Sequence, residues 1–159
     1  MKKTLLLLCL FAGIFLAASA QQNEGTDYRT ALGFKFYPAG VTIKHFLGRR
    51  TAAEAIGYSH DGFRFTVLIE YYIPIGKAPG LNAYIGPGMH LGFHDENWED
   101  KHPGMKNKTA IGVDGVVGLD YKLKGVPLNL SLDWQPSYNL AGENYFESGW
   151  GGVAIRYAF

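Results

Sequence analysis

From residue 28 onward the chain alternates apolar and polar positions with a period of two, again and again. That period belongs to strands with one buried face. The clearest stretch is 62–73: Phe63, Phe65, Val67, Ile69 and Tyr71 share one face, and Arg64, Thr66, Leu68, Glu70 and Tyr72 share the other. Stretches 28–37, 81–93, 109–123, 126–135 and 148–159 repeat the pattern. Stretch 41–47 alternates less cleanly, and 51–59 is the weakest strand, because Ala52, Ala53 and Ala55 would also suit a helix. Two residues sit badly there. His45 falls on the apolar face of Val41, Ile43 and Leu47, expected to face lipid, so that either it lies near the membrane interface or a bulge shifts the register; Glu54 poses the same problem in the third strand. The total is eight strands, most of them of 9–13 residues. Soluble strands average about 5–6 residues, whereas a tilted bilayer crossing needs about 9–11.

The first 20 residues are of another kind. Met1-Lys2-Lys3 is basic, Thr4 to Leu16 is an uncharged apolar run of 13 residues, and Ala17-Ala18-Ser19-Ala20 supplies small residues. This is the layout of a secretory signal, with cleavage expected after Ala20; the run is too short for a spanning helix. Residues 21–26 read as a flexible lead-in, and 27–159 as one domain. The sole cysteine, Cys9, would leave with the signal, so the exported domain has no disulfide available. Removing Lys2 and Lys3 leaves 13 basic against 14 acidic residues, without the basic surplus of a nucleic-acid binder.

The polar faces decide which way the strands point. They carry Lys35, Arg64, Glu70, His90, Asp114, Asp120, Asp133 and Arg156, interleaved with Gly33, Gly86, Gly88, Gly92, Gly112, Gly118 and Gly152. A water-facing surface has no need of so much glycine, which weakens strands. A narrow lumen does, because glycine leaves room for large side chains from across the barrel. The fold expected is therefore all-β: a single antiparallel up-and-down eight-stranded transmembrane β-barrel, with those eight ionisable residues as a polar network in the lumen. Aromatic residues suggest two girdles, Tyr71, Tyr72, Tyr121, Tyr157 and Phe159 at one level and Phe36, Phe63, Phe93, Trp134 and Trp150 at the other. With both termini periplasmic, the turns 48–50, 74–80 and 124–125 are periplasmic, and 38–40, 60–61, 94–108 and 136–147 face outward.

Tyr157-Ala158-Phe159 resembles the C-terminal signal read by the outer-membrane assembly machinery. The whole exported chain, notably 62–72, 86–92 and 127–136, resembles small outer-membrane barrels of the OmpA transmembrane domain, OmpX and OmpW kind. The resemblance implies a Gram-negative outer-membrane location, contacts with outer-membrane lipid and with the assembly machinery, and a structural or interaction role in the envelope, without a peptidoglycan-binding domain after Phe159. Loop 94–108 is the candidate surface for an extracellular partner. No cofactor is expected. Three other functions are weighed: a narrow or gated pore, although eight strands leave a lumen that side chains nearly fill; a secreted lipocalin-like carrier, which would need an apolar lumen; and a lipid A-modifying enzyme. For the enzyme the candidates are Ser59-His60-Asp61, His94-Asp95 and Ser148, but three consecutive residues in a strand-turn diverge rather than converge. His94, Asp95, Glu96, Glu99, Asp100 and His102 form a polar cluster that reads as a solvated loop rather than a metal site.

Overall fold

Wherever the alternation is regular, it forms strand. The computed structural model describes residues 28–60, 62–76, 78–94, 109–141 and 145–159, so the signal-like segment, the lead-in and most of loop 94–108 lie outside the described residues. The strands are β1 (Thr30–Phe36), β2 (Gly40–Phe46), β3 (Thr51–Ser59), β4 (Gly62–Pro74), β5 (Leu81–His94), β6 (Thr109–Lys122), β7 (Leu128–Trp134), β8 (Ser137–Ala141), β9 (Phe146–Glu147) and β10 (Gly151–Ala158). Every pairing is antiparallel, and from β1 to β7 each element bonds to its sequence neighbour. β1 pairs with β10 and closes the sheet, with Leu32 opposite Tyr157 and Phe34 opposite Ile155. Because β6 pairs with both β7 and β8, these two are lengths of one stave; β9 and β10, which pair with β8 and β7, are lengths of the last. The result is a closed up-and-down barrel of eight staves, and closure leaves no long unpaired edge. Among the described residues no helix is long and apolar enough to cross a membrane.

The two faces differ sharply. Leu32, Phe34, Phe63, Phe65, Val67, Ile69, Ile85, Met89, Ile111, Val117, Leu119, Leu130, Leu132, Val153 and Ile155 point outward, Phe34 with 62% of its surface exposed and Leu132 with 55%. Lys35, Lys44, Glu54, Glu70, Asp120, Asn129, Gln135 and Arg156 are buried inside. Both conflicts in the weak strands are resolved by register. Glu54 does not share the outward face: β3 turns Ala52, Glu54, Ile56 and Tyr58 inward and leaves Ala53, Ala55 and Gly57 outside. The small outward residues gave the alternation too little contrast to be read. His45 does face outward, in an unbroken β1–β2 register, at the end of its strand, where its Nδ1 lies 2.9 Å from Thr30 Oγ1.

Three expectations need correction. Tyr72 is buried in the lumen, as its even position on β4 requires, and belongs to no girdle. Trp150 turns inward over Arg64, 4.1 Å from guanidinium carbon to ring centre, and tilts against Tyr58 at 5.0 Å. The outer loop expected at 136–147 is shorter, because β8 continues the stave beyond Pro136 and β9 begins the next. Pro136 lacks an N–H, yet its carbonyl accepts the Gly115 N–H at 2.8 Å, so the ladder steps over the proline instead of ending there.

Glycine makes room in the lumen in the way the polar faces suggested. Gly118 pairs with Tyr84 and Gly112 with His90 across β5–β6. A Cβ on Gly118 would meet the Tyr84 ring at 2.6 Å, and one on Gly112 would meet His90 Cε1 at 2.5 Å. Each large residue lies over the bare backbone of the neighbouring stave, the pairing that relieves glycine's weakness in a sheet.

Candidate functional site

The barrel interior is where chemistry-bearing side chains converge. Four buried cations, Lys35, Lys44, Arg64 and Arg156, face five buried carboxylates, Glu54, Glu70, Asp114, Asp120 and Asp133, with His90 among them. Charges this deep are tolerated only in pairs with further hydrogen bonds, because desolvation of a lone ion is costly.

Near the end where the chain enters and leaves, Lys44 Nζ is the centre. It lies 2.9 Å from Glu70, 3.2 Å from Glu54 and 3.8 Å from Asp120, and donates to the Tyr72 hydroxyl at 2.8 Å. The Tyr84 ring lies below it, 4.5 Å from the ammonium, close enough for a cation–π attraction. Tyr28, Phe46, Tyr72 and Tyr84 form a continuous row of rings, the last two stacked at 5.3 Å. Asp120 accepts from Asn129 at 2.8 Å.

At mid-height Arg156 spans the lumen. It bonds Glu54 from β3, Thr42 from β2, and Asn129 and Ser131 from β7, the last at 2.7 Å. Beside it Lys35 pairs with Asp133 at 2.8 Å, and Tyr84 donates to the same carboxylate at 2.6 Å. Toward the loop end Arg64 joins Asp114 and, at 2.9 Å, Glu147. His90 sets Nδ1 2.9 Å from Asp114 and Nε2 2.7 Å from Asn139 Oδ1. Gln135 donates to Asp114 at 3.1 Å and accepts from Tyr58 at 3.0 Å. Trp150 Nε1 and the Tyr145 hydroxyl both donate to Glu147, at 3.0 and 3.2 Å. Burial, and then the Glu147 charge, push the Tyr145 phenol well above its ordinary value.

All eight ionisable residues read from the sequence as a lumen network are buried in the interior: Lys35, Arg64, Glu70, His90, Asp114, Asp120, Asp133 and Arg156. Lys44 and Glu54, which hold the network together, were missed, as were Tyr58, Tyr72, Tyr84, Gln135 and Asn139 as polar partners. Strict period-two counting from Lys44 to Thr42 and from Glu54 to Tyr58 was the signal available for them. Tyr157 and Phe159 lie outside the barrel with ring centres 6.1 Å apart, both exposed.

Of the candidate catalytic residues, Ser59, His60 and Ser148 are exposed at the loop end. The His60 ring meets the Trp150 ring edge-on at 6.5 Å, and the Ser148 carbonyl accepts from Trp134 at 2.9 Å. Asp61, Asp95 and the side chain of His94 lie outside the described residues, as does the rest of the acidic cluster at 95–102. Among the described residues no group of three or more His, Cys, Asp and Glu is placed to hold a metal ion.

Fold and interior together define a class: a small closed antiparallel barrel with an apolar exterior and an ion-paired, side-chain-filled core. Comparison with family models, curated proteins and solved structures finds no match for this chain.

Proposed function

We propose that this protein is an integral outer-membrane β-barrel that serves the cell envelope as a non-catalytic structural or interaction module. One observation carries the reading: the polarity of the barrel is inverted. Lys44, Glu54 and Arg156 have no exposed surface, while Phe34, Leu132, Ile85 and Met89 are more than half exposed on the outside. A soluble carrier of apolar ligands needs the opposite arrangement, an apolar cavity within a polar shell. A continuous apolar exterior of this kind is costly in water and stable against lipid. The staves agree with this, β4, β5 and β6 having 13 or 14 residues, enough for a tilted crossing. The longest connection, 94–108, would then be the outer surface available to an extracellular partner.

The test is fractionation followed by electrophoresis with and without boiling. The expected result is a protein that sediments with outer membranes, needs detergent, and migrates differently when left unboiled. A soluble periplasmic or secreted protein with identical migration in both lanes would overturn the reading.

A further inference from the structure

The end of the barrel that carries the short turns is electrostatically one-sided. Arg49 and Arg50 occupy the β2–β3 turn and Lys124 the β6–β7 turn, all three exposed; Arg29 and Lys122 are half-buried beside them. Leu47 N–H bonds the Thr51 carbonyl at 2.8 Å, a tight turn that holds the two arginines outward. Lys122 Nζ donates to the Leu123 and Val126 carbonyls, so its charge stays at the rim unneutralised. No side-chain carboxylate occurs among the described residues of this rim, 28–30, 47–51, 74–76, 78–81 and 122–128. The nearest ones, Glu70 and Asp120, are inside the lumen and taken up by Lys44. Immediately toward the barrel middle comes the apolar exterior, with Leu47, Tyr71, Ile73, Tyr121, Leu128 and Tyr157 all exposed.

We infer that this rim binds the anionic headgroups of the phospholipid leaflet at the turn end of the barrel. The inference rests on the membrane reading above. Charge complementarity and continuity argue for it: five cations, with no side-chain carboxylate beside them among the described residues, form a collar at the edge of a surface suited to acyl chains, which is where lipid phosphates lie. A soluble polyanion would match the charge but leave the adjoining apolar surface uncovered. Attraction of exposed Lys and Arg to an anionic surface amounts to about a fivefold gain in affinity per residue, and it is screened by salt.

The experiment uses the folded protein in phosphatidylcholine bilayers, doped with spin-labelled phosphatidylglycerol or spin-labelled phosphatidylcholine. Electron paramagnetic resonance then gives the relative association of each lipid with the barrel. At low salt the wild type should prefer phosphatidylglycerol several-fold. The preference should fall toward one in Arg49→Gln/Arg50→Gln/Lys124→Gln, whose fold is checked by its unboiled mobility. It should also collapse for the wild type in 1 M NaCl, a measurement that needs no variant to fold. Equal association of the two lipids with the wild type at low salt, or a preference unchanged by the substitutions or by salt, would overturn the proposal while leaving the barrel in its bilayer. A protein that never enters the bilayer would overturn the membrane reading itself, and this proposal with it.

Discussion

Glu54 is bonded by Arg156 on one side and lies 3.2 Å from Lys44 on the other, with no exposed surface on any of the three. Two cations from β10 and β2 meet through one carboxylate from β3, so its removal leaves Arg156 with only the neutral partners Thr42, Asn129 and Ser131 in a desolvated lumen, while Lys44 keeps Glu70 and Asp120. Deleting one partner of such a buried arrangement costs about 3–5 kcal/mol. Glu54→Ala is therefore expected to lose that much unfolding free energy, measured by urea unfolding in lipid vesicles with tryptophan fluorescence as the probe. A loss below about 1 kcal/mol, the range of exposed ion pairs, would remove Glu54 from its central place. Glu54 was also the residue least legible in the sequence. Its neighbours Ala53 and Ala55 look no more lipid-facing than Ala52, so polarity contrast alone did not settle which face it was on. Arg64 and Arg156 were legible because bulky apolar residues flank them on both sides, Phe63 and Phe65 in the first case and Ile155 and Tyr157 in the second.

At the level of the strand, two features carry consequences. Tyr84 lies over Gly118, its hydroxyl bonded to Asp133. Gly118→Val would drive a side chain into both, and overpacking of this kind costs about 1–3 kcal/mol. Gly149→Ala, where an added Cβ meets nothing within 4 Å, should change stability by less than about 0.5 kcal/mol. The same unfolding measurement tests the pair; equal effects at the two positions would refute the packing role of Gly118. The second feature is the outward face of β7. Leu132→Arg should cost about 2–4 kcal/mol in bilayers if that face meets lipid near mid-depth. On a water-facing surface the same change would be nearly neutral, so a small effect in vesicles would count against the lipid-facing assignment. The extent of this stave was hidden by Pro136. A proline ordinarily ends a central strand, and only the pairing with Gly115 reveals that the stave carries on into Ser137–Ala141.

For the molecule as a whole, closure of β1 onto β10 places side chains from opposite staves in contact across the lumen. Lys35 meets Asp133, 98 residues away, and Arg156 meets Glu54, 102 residues away. With Arg156 spanning mid-height and Tyr72 and Tyr84 stacked beside Lys44, no wide aqueous path is expected. Planar-bilayer recordings of the wild type should show no conductance steps above leak. Steady steps would favour the pore reading and imply that the network opens. Arg156→Ser together with Glu54→Ser removes the crossbar without leaving either charge alone, and should produce small steps if side-chain filling is what blocks the lumen.

Much of this architecture follows from the sequence alone. Period-two alternation dictates strands, their number is even, and the glycine and charge content of the polar faces marks those faces as a crowded interior. Alternation has only one bit of information per residue, which face it takes, and eight ionisable residues could be assigned by it. It carries nothing about which residues meet. That depends on stagger between staves and on closure, both set by the whole sheet's hydrogen-bond register. Only the tertiary structure therefore decided that Lys44 and Glu54 lie at the centre of the network, that Trp150 folds in over Arg64, and that the turn end gathers cations from three separate stretches of chain, 29, 49–50 and 122–124, into one basic rim.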